Sequence, residues 1–245
     1  MKNLKPKILA YIPARGGSKR IPGKNIKKFA GKPLIAYTIE QALACKLADK
    51  IVVDTDSKEI AKIAKEHGAE VSFLRPAKLA QDKSMIIDSI IYTLDRLEKE
   101  QNYKPTHLLI LQTTSPLREL KDIMDCWKLM QSTNATTVLT VCPTHPCFYH
   151  MKENKDITIV NGNEGISTNM QAWPEGYILN GCFVYIVDIP TLRKERRVIT
   201  AKTKAVVCPK WRSADLDTPE EWVMAEVLYK NKKKIEKQIK KHESK

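Results

Sequence analysis

Residues 8–25 read ILAYIPARGGSKRIPGKN. The apolar run ILAYI has the make-up of a buried strand, and it enters a loop that carries Gly16, Gly17 and Gly23 together with Arg15, Lys19, Arg20 and Lys24. Glycine opens backbone conformations closed to other residues, so several N–H groups can turn toward one anion. The cations add mobile positive charge, and the planar fork of Arg15 suits phosphate oxygens. The stretch therefore reads as a cradle for a triphosphate. It is neither GxxxxGK[ST] nor GxGxxG, and the same composition would also serve an ordinary basic surface turn.

Working outward, apolar β-branched runs recur at KILAYI, KIVVDT, AEVSFL, HLLILQ, TTVLTV, CFVYIV and KAVVCP. Between them lie segments of helical spacing, PLIAYTIEQALA, SKEIAKIAKEHGA and MIIDSIIYTLDRLEK. This alternation predicts an α/β fold, a mainly parallel sheet with helices on both faces. Pro33 suits a first helical turn, Ser57 suits a cap for a helix that Gly68 ends, and Ser84 suits a cap for the next. In such a sheet ligands lie beyond the carboxyl ends of the strands, where the loop after ILAYI, the pair Asp54 and Asp56, and Gln112 with TTSPLR should converge. Residues 143–180 break the pattern with turn-forming Asn, Gly and Pro, aromatics and no long helix.

At 245 residues with 42% hydrophobic content the chain suits a single domain, residues 1–245, with an inserted arm at 143–180. The basic start is followed by an apolar run too short for a signal peptide, and no stretch of about 18 apolar residues occurs, so a cytoplasmic protein without membrane contact is expected. The formal charge of +14 invites a nucleic-acid reading, but residues 230–245 alone hold eight lysines against two glutamates. A lysine-rich tail without aromatics is a solvated helix end rather than a base-stacking surface, so nucleic acid is not the expected partner. Cys45, Cys126, Cys142, Cys147, Cys182 and Cys208 form no CxxC pair, which leaves no zinc knuckle and no disulfide framework to expect. Reduced core thiols fit better.

Near the C-terminus, Asp215 and Asp217 in SADLDT lie two apart; on an extended segment both face one hard cation, Mg²⁺ or Mn²⁺ at a nucleotide phosphate. The alternative is an acidic cap for a helix starting at Thr218 or Pro219. Gln112 ends a strand, where its amide can donate and accept at a pyrimidine edge.

The run PARGGSKRIPGKN, then GKPLIAYTIEQAL, VDTDS, LRPAKLAQD, LQTTSPLR, YILNG and SADLDTPEE, in that order over about residues 7–228, resembles the acylneuraminate cytidylyltransferase family. The resemblance implies a Rossmann-like nucleotidyltransferase fold and a reaction joining CTP to the anomeric hydroxyl of a 2-keto-3-deoxy sugar acid, with CMP-sugar and pyrophosphate as products. It implies that Ala14, Arg15, Gly16, Gly17, Ser18, Lys19, Asn25 and Gln112 bind the nucleotide. It further implies that Arg15, Lys24 and Asp217 carry the chemistry, Asp215 and Asp217 hold Mg²⁺, and Gln112, Gln171, Tyr177 and Asn180 meet the acceptor. By the same resemblance Arg20 stands where relatives often carry glycine, Asp56 is expected to contact the nucleotide or to cap a helix, Asp82 is expected near the base or the loop, and Arg118 is expected to brace the TSPLR loop. Residues 143–180 correspond to the family's dimerisation arm, which makes a homodimer the expected assembly.

The resemblance weakens at the acceptor. Relatives that use sialic acid show lysine shortly after the HP turn and arginine immediately before the arm glutamine, whereas this chain has Phe148 and, before Gln171, Asn169 and Met170. An unpaired carboxylate in a closed site is costly, so another cation such as Lys152 must stand in if the acceptor is an acid. A legionaminic-, pseudaminic- or other nonulosonic-type acid is the leading expectation. A phosphorylated sugar or phosphonate acceptor is the alternative.

Overall fold

Strand β1, Ile8–Pro13, lies between two core layers. Its alternating side chains divide, with Ile8, Ala10 and Ile12 on one face and Leu9 and Tyr11 on the other, and all five are buried. The computed structural model describes residues 5–146, 148–160, 174–181 and 183–243, together with their secondary structure. Three helices pack on the first face: α1 (Leu34–Ala44), α2 (Lys58–Glu66) and α4 (Leu120–Ser132), through Ile35, Ile39, Ile60, Ala64, Ile123 and Trp127. On the second face α3 (Ile86–Gln101) and α5 (Ile189–Glu195) supply Ile87, Ile90, Leu94, Leu97, Ile189 and Leu192. Helices on both faces are what the alternation predicts.

The main sheet runs β11 (Thr203–Val207), β6 (Thr137–Thr144), β10 (Tyr185–Asp188), β5 (His107–Ile110), β1 and β4 (Lys50–Asp54). β1 is parallel to β4 and β5, and β11 is parallel to β6, but β10 is antiparallel to both its neighbours. The sheet is thus mostly parallel with one reversed central strand. The reversal follows from the arm: β9 (Gly176–Leu179) returns antiparallel along β6, and the chain continues in the same direction into β10. Val141 of β6 pairs with both Val207 and Leu179, so β9 and β11 occupy opposite edges of β6 and β9 shares an edge with β10. The interval between β9 and β10 contains Asn180 and Gly181.

Six of the seven expected strands are present. AEVSFL is the exception, since residues 69–74 make only a bridge between Glu70 and Val52 before the chain is drawn inward at Arg75. The helix caps divide likewise: Ser57 Oγ accepts from Ile60 N–H at 3.3 Å and Gly68 follows α2 with φ +93°, whereas Met85 caps α3 and Ser84 turns instead to the Lys78 carbonyl. Pro33 lies one position before α1 rather than inside its first turn.

A short hairpin, β2 (Lys28–Phe29) with β3 (Lys32–Pro33), carries the chain from the glycine loop to α1. Phe29 packs edge-on against Tyr37, Trp222 and Tyr229, which docks the start of α6 (Pro219–Glu243) beside that loop. From residue 230 to 242 no residue of α6 is buried, in keeping with a solvated helix end. In the arm, β7 (Tyr149–Met151) and β8 (Ile157–Ile159) form a separate hairpin. Cys45, Cys126, Cys142 and Cys208 are buried free thiols, while Cys147 and Cys182 lie outside the described residues.

Candidate active site

β1 lies between β4 and β5, the next two sheet strands in the chain, so the chain leaves β1 toward one side and crosses from β4 to the other, which opens a crevice. A cleft of about 240 Å³ opens there, lined by Pro13, Arg15, Lys24 and Asn25 after β1, by Arg75 and Asp82, and by Gln112, Thr113 and Thr114 after β5.

The loop is shaped by its own backbone. Gly23 at φ +63° accepts from the N–H groups of Ile26 and Lys27, both at 2.9 Å, through its carbonyl. Asn25 closes the loop from below: its Nδ2 donates to the Arg15 carbonyl at 2.8 Å, and its Oδ1 accepts from Thr113 Oγ1 at 2.5 Å. Asn25 also lines the cleft, so its amide braces the loop from the wall of the site. Ala14 N–H bonds to the Asp54 carbonyl at 2.9 Å and continues the β1–β4 pairing. Gly16 N–H donates to Asp56 Oδ1 at 2.8 Å, and Ser18 N–H to the Gly16 carbonyl at 3.1 Å. The expected anion donors at Ala14, Gly16 and Ser18 therefore already have acceptors within the protein.

Each loop cation faces a carboxylate. Arg15 and Lys19 meet Asp82 at 2.8 and 2.5 Å, and Arg20 and Lys24 meet Asp217 at 2.9 Å each. Lys24, the most enclosed of the four, also donates to the Leu216 carbonyl at 2.9 Å, tying the loop to the SADLDT segment. Arg75 was given no role from the sequence. It is buried against Asp54, 2.7 Å from Oδ2, and donates to the Asp54 carbonyl, while the Tyr11 hydroxyl donates to the same carboxylate oxygen. The signal was present in Asp54: a carboxylate at the buried end of an apolar strand requires a cation. Arg118 is buried and donates to the Gln112 carbonyl at 2.6 Å, which is the brace expected of it and which sets Gln112 at the cleft wall.

Asp215 and Asp217 come together, though not by extension. Asp217 N–H donates to the Asp215 carbonyl at 3.0 Å, a tight turn centred on Leu216. Nor do they cap α6, because Thr218 Oγ1 accepts from Glu221 N–H at 3.3 Å and Glu221 Oε2 accepts from the N–H groups of Asp217 and Thr218 at 2.8 Å. The cap is complete without them, which leaves both carboxylates for other work. Burial, with the charge of Asp217 adding to it, raises the Asp215 carboxyl above the ordinary range despite a hydrogen bond from Thr114. Burial also opposes ionisation of Asp217, yet Lys24 and then Arg20 hold that carboxyl below its ordinary value. Asp215 Oδ1 is buried and has no hydrogen-bond partner. Two adjacent carboxylates, one with an orphaned buried oxygen, suit a hard divalent cation that takes its remaining ligands from phosphate and water. Among the described residues no group of three or more His, Cys, Asp or Glu offers a complete protein cage for a metal.

Asn180 is buried, accepting from Thr140 Oγ1 at 2.9 Å and donating to Ser213 Oγ at 3.2 Å. Its amide braces β6 against the SADLDT approach. Tyr177 is exposed on β9 with its hydroxyl on Glu175, and neither it nor Asn180 lines the cleft. Lys152 is exposed at the end of β7, and Phe148 is exposed just before that strand. Gln171, Asn169 and Met170 lie outside the described residues.

A mostly parallel α/β sheet that gathers phosphate-type cations and a carboxylate pair at its switch point defines a nucleotidyltransferase enzyme. Residues 9–197 match the family model described as Cytidylyltransferase. The chain is 34% identical over 235 residues to CMP-N,N'-diacetyllegionaminic acid synthase of Legionella pneumophila, covering 91% of this chain and 96% of that protein. It is 30% identical over 228 residues to pseudaminic acid cytidylyltransferase of Campylobacter jejuni, covering 91% and 97% respectively. Its fold matches the structure of CMP:2-keto-3-deoxy-manno-octonic acid synthetase complexed with CTP, with a TM-score of 0.66 at 16% identity over 92% of this chain and 99% of the other. The chain belongs to the cytidylyltransferase family, in agreement with the resemblance carried by its ordered motifs. Among the described residues no helix is long and apolar enough to cross a membrane.

Proposed function

We propose that the protein transfers the cytidylyl group of CTP to the anomeric hydroxyl of a nonulosonic-type 2-keto-3-deoxy sugar acid, giving a CMP-sugar and pyrophosphate. The sugar oxygen forms a bond to the α-phosphorus and loses its proton, while the bond from the α-phosphorus to the bridging oxygen breaks. The observation that carries this reading is Lys24, which joins the cation loop to Asp217 at 2.9 Å and so brings phosphate-holding and carboxylate groups into one site. Phosphoryl transfer is mainly positioning and charge stabilisation, and this arrangement offers both. Arg15 and Lys24 draw the triphosphate to the crevice, and Gln112 presents its amide to the base. Asp215 and Asp217 would hold Mg²⁺, or Mn²⁺, which when bound supplies charge neutralisation to the phosphates. The names of the relatives favour a legionaminic- or pseudaminic-type acceptor. CTP consumption favours the cytoplasm as the place of work.

Pyrophosphate release tests the reading. With Mg²⁺, turnover is expected to require CTP, with ATP, GTP and UTP far poorer, and one keto-sugar acid from a panel of sialic, legionaminic, pseudaminic and octulosonic acids. Release only with a sugar phosphate or phosphonate would overturn the acceptor assignment and keep the nucleotidyl transfer.

We also propose a homodimer built through the arm. Tyr149, Met151 and Ile157 of the β7–β8 hairpin and Tyr177, Ile178 and Leu179 of β9 are all exposed, an apolar surface unusual for a monomer. Sedimentation velocity should give a species of twice the chain mass at micromolar concentration. A single sedimenting monomer would reject the assembly.

A further inference from the structure

Asp82 projects at the cleft mouth from residues 77–84, a segment fixed by its own hydrogen bonds. Ser84 Oγ donates to the Lys78 carbonyl at 2.9 Å and accepts from Gln81 N–H at 3.2 Å, and Ser89 Oγ on α3 donates to the Leu79 carbonyl at 3.2 Å. The position of Asp82 is therefore built rather than incidental. Its two oxygens are divided between two loop cations: Oδ1 takes Arg15 Nη1 at 2.8 Å and Oδ2 takes Lys19 Nζ at 2.5 Å. These are the groups that a triphosphate would need.

The pairs are solvated. Side-chain exposure is 44% for Asp82, 39% for Arg15 and 81% for Lys19, so the contacts add little to stability and exchange readily. What they supply is alignment, together with a negative charge inside the same Debye length as any incoming phosphate.

We propose that Asp82 is an internal stand-in for phosphate, a positioning residue that holds Arg15 and Lys19 at the cleft mouth and competes with the triphosphate for them. The inference rests on the reading of the Arg15 loop as the triphosphate site and adds what limits affinity there. It carries an inverted sign. A residue that contacts the nucleotide, or that merely tethers the loop, weakens binding when it is replaced, whereas a competing carboxylate strengthens binding when its charge is removed.

The test is calorimetric titration of the full chain with inorganic tripolyphosphate at low salt without divalent metal, using the wild type, Asp82→Asn and Asp82→Ala, with cytidine as the uncharged control. Both variants should bind tripolyphosphate roughly three- to ten-fold more tightly than the wild type, the scale of exposed ion pairs. The gain should shrink at about 0.5 M salt, where exposed charges are screened. Cytidine binding should not change. Tripolyphosphate affinity that is equal or weaker in both variants, with the wild type binding normally, overturns the role of Asp82 and leaves the loop reading intact. If none of the three proteins binds tripolyphosphate, the loop reading itself falls and the inference falls with it.

Discussion

Replacing Asp215 by asparagine should make the protein more stable and nearly inactive, and replacing Asp217 by asparagine should make it inactive and slightly less stable. The two carboxylates lie two residues apart, but their surroundings pull their charges in opposite directions. For Asp215, burial favours the protonated form, so its folded pKa lies above the unfolded one. Stability from such a group is fully present below the unfolded value, near 3.9, and is lost as pH rises through the folded value. At neutral pH the ionised side chain therefore weighs against the fold, because burial disfavours its charge. Asparagine removes that charge, and melting should rise, by about 2–4 °C for each kcal/mol recovered in a chain of this size. For Asp217 the sign is reversed: Lys24 and Arg20 depress its folded pKa, so its contribution is present above the unfolded value and is lost as pH falls through the folded one. Its side chain is 37% exposed, so solvent screening limits the loss in Asp217→Asn to a few tenths of a kcal/mol. Turnover should fall by about a hundred-fold or more in both, because each variant removes one of the paired carboxylates at the proposed phosphate site. Thermal denaturation and pyrophosphate release on the two purified variants decide the matter. A less stable Asp215→Asn would mean that its carboxylate is well paired after all, and unchanged turnover would remove the pair from the chemistry.

This opposition was not legible in the sequence, where SADLDT offers two equivalent aspartates. What was legible is whatever depends on neighbours in the chain. The ILAYI strand, the glycine turn with its cations and the amphipathic spacing of α1 to α3 are local patterns, and the structure has them where the spacing predicts. The expectations that fail depend on distant partners. AEVSFL has strand composition, but Arg75 immediately beyond it is pulled to Asp54, and the chain turns inward after one bridge. Ser84 looks like a helix cap and instead closes the segment that carries Asp82. The resemblance makes Asn25 and Asn180 ligand contacts, and the motifs carry no sign of the protein groups that also hold their amides. Thr113 and the Arg15 carbonyl engage Asn25, and Thr140 and Ser213 engage Asn180. The reversed strand β10 was hidden for a related reason: its direction is set by the path of the arm, whereas the alternation of strands and helices carries no sign of direction.

Gly181→Ala should abolish most turnover without touching a charged group. Gly181 stands between β9 and β10 at φ +65°, a region that alanine enters at a cost of about 1–2 kcal/mol. Space is the larger obstacle. A Cβ built there lies 2.4 Å from Asp215 Cγ, 2.5 Å from its Oδ2 and 2.6 Å from its Cβ, so the carboxylate must leave its position or the strand junction must open. The Gly181 carbonyl also accepts from Ser115 Oγ at 3.3 Å, and Leu216 N–H bonds to the Thr114 carbonyl at 3.0 Å, so the junction is tied to the same loop that orders the SADLDT turn. Strain and overpacking together should cost about 2–4 kcal/mol and lower melting by several degrees. Turnover should fall by about a hundred-fold, as for loss of the carboxylate itself, while tripolyphosphate binding at Arg15 and Lys24 changes much less. The double variant Gly181→Ala with Asp215→Ala separates the two causes. Removing the side chain that the new methyl strikes should return most of the clash energy, so the double variant melts above Gly181→Ala while remaining inactive. If melting does not recover, the left-handed backbone rather than Asp215 is what requires glycine at this position. If Gly181→Ala keeps more than half of its turnover, the seat of Asp215 against the β9–β10 junction is not what the reaction depends on.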